Sequence, residues 1–226
     1  MSFVVAIDGP AGTGKSTITK LLGKKLNLAN INTGAMYRCV TLNCLRNNIT
    51  IDELDKIENI LEEININFKF ENEKEKVFLN DEDVTEKIRT KEVDENVAKF
   101  AAIKIVRDKM TPLQRKLGQQ TDVILEGRDI GTVVFPDADV KIFLDCSVEE
   151  RANRRYKQNV EKGINTSTYE EVLANIKERH KLETEREIAP LRQAEDAIYI
   201  DSTNLTIEEV ASKIEEIIIN KRKKSS

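Results

Sequence analysis

Gly9-Pro10-Ala11-Gly12-Thr13-Gly14-Lys15-Ser16 is a complete G-x-x-x-x-G-K-S segment, and its spacing suits the holding of a polyphosphate. Glycines let successive backbone N–H groups turn inward around an anion. Lys15 can then reach the outer phosphates, and the Ser16 hydroxyl is placed to ligate magnesium. The context fits this chemistry. An apolar strand, Phe3–Asp8, runs into the loop, and Ile18, Leu21, Leu22 and Leu26 mark an amphipathic helix after it. Gly9 through Thr17 therefore form the candidate nucleoside triphosphate site, with Lys15 also a candidate catalytic residue and Ser16 the candidate metal ligand.

Arginine placement is the second chemical signal. Arg38 follows Thr33-Gly34-Ala35-Met36-Tyr37, and Arg128 follows the apolar run Val123–Glu126. Arg151, Arg154 and Arg155 share one helical pattern, Arg179 and Arg186 the next. Arg154 and Arg155 are adjacent and cannot face the same way, which leaves a structural role for one of them. Guanidinium forks gathered at strand ends suit phosphate oxygens, which they bind bidentately. The loop already serves one triphosphate, so the extra arginines point to a second phosphorylated ligand or to charge stabilisation during transfer. Glu126, Asp145 and Asp201 each end an apolar run and could orient magnesium; the pattern does not choose among them. The single histidine, His180, lies among charged helical residues and reads as a surface residue. With no metal-spaced Cys/His cluster and no nucleophile–His pairing, triad hydrolysis is disfavoured, whereas phosphoryl transfer needs neither.

The elements that must position these groups alternate between short strands and helices. Strands are expected at the first apolar run, at Leu28–Asn32, Val123–Glu126, Val140–Asp145 and Ala197–Asp201, and the runs suit burial on both faces. Capping-box patterns open helices at Ser147–Glu150, Thr168–Glu171 and Thr206–Glu209. Five strands with crossover helices predict an α/β fold with a parallel sheet and ligands at the carboxyl ends of its strands. The middle breaks this rhythm. A helix over Asp52–Ile64 leads to Ile66–Phe70, a polar turn and Val77–Leu79, which reads as an antiparallel hairpin within an inserted lobe of about Ile49 to Arg89. The glycine-containing polar stretch Gln158–Ser167 suits a mobile lid or a plain surface loop.

At 226 residues the chain can bury one good core. A net charge of −4 argues against non-specific nucleic-acid binding. No stretch approaches the roughly 20 apolar residues of a membrane span, and no signal peptide precedes the first strand. Cys39, Cys44 and Cys146 form no C-x-x-C and read as reduced thiols of a cytoplasmic protein. The basic end, Lys221–Ser226, reads as a frayed, solvated helix terminus.

Several longer segments resemble the bacterial cytidylate kinase family. They are Thr33-Gly34-Ala35-Met36-Tyr37-Arg38, Ile88-Arg89-Thr90 and Glu126-Gly127-Arg128-Asp129-Ile130-Gly131-Thr132-Val133-Val134-Phe135-Pro136, with Ile176-Lys177-Glu178-Arg179 and Ala189-Pro190-Leu191. The resemblance covers nearly the whole chain. It implies transfer of the ATP γ-phosphoryl group to CMP or dCMP with magnesium, in a single P-loop kinase domain with an inserted acceptor-binding lobe and a short lid. It also implies a monomer that engages neither nucleic acid nor membrane. Carried over by position, it puts Thr33, Tyr37 and Arg38 beside the acceptor and Arg38, Arg128 and Arg186 on its phosphate, the last two also as catalytic residues. Arg179 and Glu183 join the substrate-binding set. Arg107 and Asp129 fall where the family reads the cytosine edge; a structural ion pair between them is the alternative. Cytosine offers an amino donor and a ring-nitrogen acceptor, which a carboxylate and a guanidinium complement, whereas uracil reverses both.

Two positions depart from the family pattern. In an ungapped alignment a base-contacting serine becomes Ala98, the loss of one neutral hydrogen bond at about 0.5–1.5 kcal/mol. Glu183 replaces an aspartate that approaches the sugar hydroxyls, which leaves CMP against dCMP open. Two rival readings share the phosphate loop: a kinase of the same architecture with another acceptor, and a nucleotide-dependent switch. Asp129 disfavours uracil and the arginines disfavour an unphosphorylated acceptor. The guanine-reading N/T-K-x-D segment is missing, since Thr90-Lys91-Glu92-Val93-Asp94 has one residue too many.

Overall fold

A computed structural model describes residues 2–71, 74–161 and 168–225. The chain divides into two compact units, one of Met1–Asn32 with Arg115–Ser226 and one of Thr33–Gln114.

The first unit holds five parallel strands: β1 (Val4–Asp8), β2 (Ala29–Asn32), β6 (Val123–Gly127), β7 (Val140–Asp145) and β8 (Ile198–Asp201). Their spatial order is β2-β6-β1-β7-β8. Alternate residues of β1 serve opposite faces. Val5 and Ile7 pack with Ile124, Ile142 and Leu144 against α1 (Lys15–Leu26) and α8 (Ile207–Ser225), through Ile18, Leu22, Val210 and Ile214. Val4 and Ala6 pack with Ile31, Leu125, Ile130 and Val134 on the other face. Burial on both faces is why these strands read as continuous apolar runs. The central strand β1 delivers the glycine loop between its neighbours β6 and β7, and a ligand crevice is expected at their carboxyl ends. The expected strands are all present; β1, β2 and β8 each start one residue later than the apolar runs, and β6 ends one residue later. Leu28 instead closes α1, its N–H donating to the Gly23 carbonyl.

The helices α6 (Val148–Glu161) and α7 (Tyr169–Glu185) complete this unit. At α7 the Thr168 hydroxyl and the Glu171 carboxylate cap each other's backbone N–H groups. Thr206 and Glu209 do the same before α8. At α6 the box is half formed: Ser147 accepts from the Glu150 N–H, but the Glu150 carboxylate is taken by Arg154. The basic end is a helix end as expected, with Lys221, Lys223 and Lys224 exposed. Helix α8 runs to Ser225, and Arg222 ties it down through Asp122, the Leu26 carbonyl and the Phe3 ring. Of the stretch expected as lid or loop, Gln158–Glu161 ends α6 and 162–167 lie outside the described residues.

The second unit contains α2 (Thr33–Arg46), α3 (Leu54–Glu63), α4 (Lys91–Phe100) and most of α5 (Lys104–Gly118). It also holds the antiparallel sheet of β3 (Ile66–Glu71), β4 (Lys74–Leu79) and β5 (Glu82–Asp83). The hairpin strands reach further than the apolar alternation indicated, because pairing continues through charged residues as far as Glu71 opposite Lys74. Helix α3 is shorter than its pattern by two residues at the start and one at the end. The unit extends beyond both ends of the segment expected as an inserted lobe.

Candidate active site

The phosphate loop is shaped by its contact with β7. A Cβ on Gly9 would lie 1.9 Å from the Leu144 carbonyl oxygen, so only glycine lets the loop leave β1 this close to its neighbour. Lys15, at the start of α1, folds back over the loop. Its Nζ donates to the Pro10 carbonyl at 2.6 Å and to Thr13 Oγ1 at 3.2 Å. Burial, then the Arg128 charge, pull its ammonium down to about 7, against the opposing pull of Glu126, Glu183 and Asp8. A cation at such a position is held most firmly when an anion lies in the loop.

Ser16 Oγ donates to Glu126 Oε2 at 2.7 Å. This contact separates the three strand-end acids. Asp145 accepts from the Cys146 N–H and Asp201 caps Thr203, so both serve local turns. Glu126 is buried, and burial pushes its carboxyl up, with Lys15 and Ser16 acting in the opposite direction.

Asp8, the last residue of β1, also belongs to the site, whereas its sequence context marks it only as part of the strand. Its two carboxylate oxygens accept from the backbone N–H groups of Ile130 and Gly131, at 2.8 and 2.7 Å. These begin a π-helical turn, Ile130–Val134, of the kind often found at functional sites. A Cβ on Gly131 would lie 3.2 Å from the Lys141 side chain, a tight contact that a small shift would have to relieve. Burial raises the Asp8 carboxyl to about 6 despite those two hydrogen bonds. The available signal was a strand-ending acid immediately before the glycine loop.

Beyond β6 the structure gathers five of the expected substrate residues. Arg128 Nε donates to Glu183 Oε2 at 2.7 Å, and Arg179 Nε to Glu183 Oε1 at 2.8 Å. Burial alone would raise the Glu183 carboxyl, but Arg128 and Arg179 hold it well below the carboxylate range. Glu183 thus holds two guanidinium groups, one through each of its oxygens. Arg186, just past α7, lies 3.7 Å from Asp129 and donates to the Ala189 carbonyl. Of the adjacent arginines on α6, Arg154 is the structural one: it bonds Glu150, the Thr13 carbonyl and Ser202, whereas Arg155 reaches Gln158.

Thr33, Tyr37, Arg38 and Arg107 belong to the second unit. Arg38 donates to the Ile88 carbonyl at 2.9 Å and pairs with Asp94, which sequence reasoning did not single out. Asp94 lies one turn before Ala98 on α4. The Arg107 guanidinium is buried, lies over the Tyr37 ring at 5.4 Å and donates to the Ala101 carbonyl. A guanidinium over an aromatic face is attracted by the ring, which helps to hold Arg107 in place.

The arrangement offers a polyphosphate loop with its lysine, a hard oxygen pair at Ser16 and Glu126, and arginines held in place by acids. That chemistry is phosphoryl transfer by positioning and charge neutralisation. Comparison with known proteins agrees. The family model described as cytidylate kinase matches residues 5–220. A cytidylate kinase of Fusobacterium nucleatum is 53% identical over 220 residues, covering 96% of this chain and 99% of its own. That of Carboxydothermus hydrogenoformans is 51% identical over 214 residues, covering 95% and 96%. Among solved structures, an uncharacterized protein from Eubacterium ventriosum superposes with a TM-score of 0.54 at 13% identity, covering 97% of this chain and 99% of that one, a likeness of fold alone.

Proposed function

We propose, from the premise that the chain belongs to the cytidylate kinase family, that it transfers the γ-phosphoryl group of ATP to CMP or dCMP, giving ADP and CDP or dCDP. An oxygen of the acceptor's phosphate attacks the γ-phosphorus, and the bond to the β–γ bridging oxygen breaks. The observation that carries this reading is the run Glu126–Asp129, which sets a Ser16-bonded acid, a clamped arginine and a buried carboxylate within four residues at the end of one strand. We assign Gly9 to Thr17 to the donor, with Lys15 following the transferring group. Arg128, Arg179 and Arg186, and in the second unit Arg38, are assigned to the acceptor's phosphate, with Thr33 and Tyr37 beside it. Arg107 and Asp129 read the cytosine edge. Glu183 positions Arg128 and Arg179, a role it fills through both of its oxygens.

Magnesium fits the donor set, since Ser16 Oγ and the Glu126 carboxylate are adjacent hard oxygen ligands of the kind it uses beside phosphates. When bound, it supplies neutralisation of phosphate charge. We also place the protein in the cytoplasm, consistent with three buried, unpaired cysteines, and as a monomer, since one chain supplies all the assigned groups. Among the described residues no helix is long and apolar enough to cross a membrane.

The test is conversion of CMP to CDP at the expense of ATP, run beside Asp129→Ala. That variant is expected to lose far more turnover with CMP than affinity for ATP. Equal loss of both would mark Asp129 as a folding residue and remove the cytosine-reading assignment.

A further inference from the structure

Asp129 occupies the position from which a turn of helix is ordinarily capped. Its carbonyl accepts from the Val133 and Val134 N–H groups at 2.9 and 3.1 Å, which opens the π-helical turn Ile130–Val134. An aspartate at such a position commonly folds its side chain onto the N–H groups two or three residues on. Asp129 makes no capping bond of this kind. Its carboxylate lies instead 3.7 Å from Arg186.

The groups it would cap are held from elsewhere. Asp8 is buried at the end of β1 and gives one carboxylate oxygen to the Ile130 N–H at 2.8 Å and the other to the Gly131 N–H at 2.7 Å. At the far end of the turn, Arg115 of α5 donates through Nε to the Val134 carbonyl at 2.9 Å and through Nη2 to the Val133 carbonyl at 2.7 Å. The packing there is close, since a Cβ on Gly118 would lie 2.5 Å from the Phe135 ring. An acid at the first N–H groups and a base at the last carbonyls complement both ends of a helical turn. A single π-helical turn makes few bonds of its own and has little intrinsic stability. Its shape therefore depends on these two side chains, which come from other elements.

We propose that Asp8 and Arg115 are positioning residues for base recognition: by capping the turn between them they relieve Asp129 of that role and keep its carboxylate turned toward the acceptor's cytosine. The inference rests on the reading of Asp129 as a cytosine-reading residue. Without Asp8 the Gly131 N–H would lose its acceptor, and Asp129, two residues earlier, is the carboxylate nearest in sequence that can fold back and take it.

The test is steady-state kinetics with ATP and either CMP or UMP on wild type, Asp8→Asn, Arg115→Met, Arg115→Lys, Asp129→Ala and the double variant Asp8→Asn/Asp129→Ala. Asparagine offers one oxygen where the aspartate offers two. Asp8→Asn should therefore raise KM for CMP about tenfold or more and lower the CMP-over-UMP ratio of kcat/KM by a similar factor, with KM for ATP changed less than about threefold. Arg115 is exposed, so Arg115→Met should fold, and it should move the same two quantities in the same direction. Arg115→Lys, which can serve one carbonyl, should recover part of the loss. In the Asp129→Ala background Asp8→Asn should add little, because the carboxylate it positions is gone. A retained preference for CMP over UMP in Arg115→Met or in a folded Asp8→Asn would overturn the positioning role, as would equal loss toward CMP and ATP or full additivity in the double variant. If Asp129→Ala itself keeps the wild-type preference, it is the cytosine-reading assignment that fails.

Discussion

Lys15 and Asp8 are both carried into the interior, and their charges answer in opposite directions. Asp8 is raised from 3.8 to about 6, chiefly by burial, so between those values the native state binds its proton more tightly than the unfolded chain. The Asp8 contribution to the unfolding free energy should therefore fall as pH rises from about 4 to about 6, by about 3 kcal/mol, and stay level above. Urea titrations at stepped pH on wild type and Asp8→Asn measure this contribution, which the variant should lack; an identical pH profile in the variant would contradict it. Lys15 sits near neutrality without ligand, and a bound triphosphate should restore its full charge. Binding of ATP at pH 8 should then take up about one proton, and below pH 6 close to none. Calorimetry in buffers of different ionisation enthalpy reads that number, and Lys15→Ala should abolish the uptake together with phosphoryl transfer.

At the scale of elements, the turn that carries the loop is the most constrained. Gly9→Ala would drive a methyl group into the Leu144 carbonyl at 1.9 Å, so it should destabilise by about 3 kcal/mol or more in chemical denaturation. The Thr168 cap of α7 is ordinary by comparison. Thr168→Ala should cost about 1 kcal/mol and leave kcat nearly unchanged, because Arg179 and Glu183 lie near the far end of that helix. Much of this scale could be read from local sequence. The glycine loop, the five apolar runs and two of three capping boxes depend on neighbours within a few residues. The Ser147–Glu150 box was half right because Arg154, one turn on, competes for the Glu150 carboxylate. The hairpin was recognised but underestimated, since its pairing continues through charged residues that carry no apolar alternation.

At the scale of the whole chain, what sequence could not supply is mostly contact between distant residues. Asp8 meets Ile130 and Gly131 across more than a hundred positions, and nothing near Asp8 announces that. The bond from Ser16 to Glu126, which sets that acid apart from Asp145 and Asp201, likewise joins distant residues. The strand order, with β6 and β7 flanking β1, follows from crossovers that local patterns leave open. Arginine identity was legible early, but the acids that hold those forks, Glu183 for Arg128 and Arg179 and Asp94 for Arg38, needed the fold. The whole molecule is proposed to act as a kinase whose acceptor is recognised by its cytosine. The most direct test supplies the protein with ATP, magnesium and equal amounts of CMP, dCMP, UMP and AMP, and follows each diphosphate over time. CMP and dCMP should be consumed first, with UMP and AMP slower by about a hundredfold or more; UMP or AMP outpacing CMP would remove cytosine recognition.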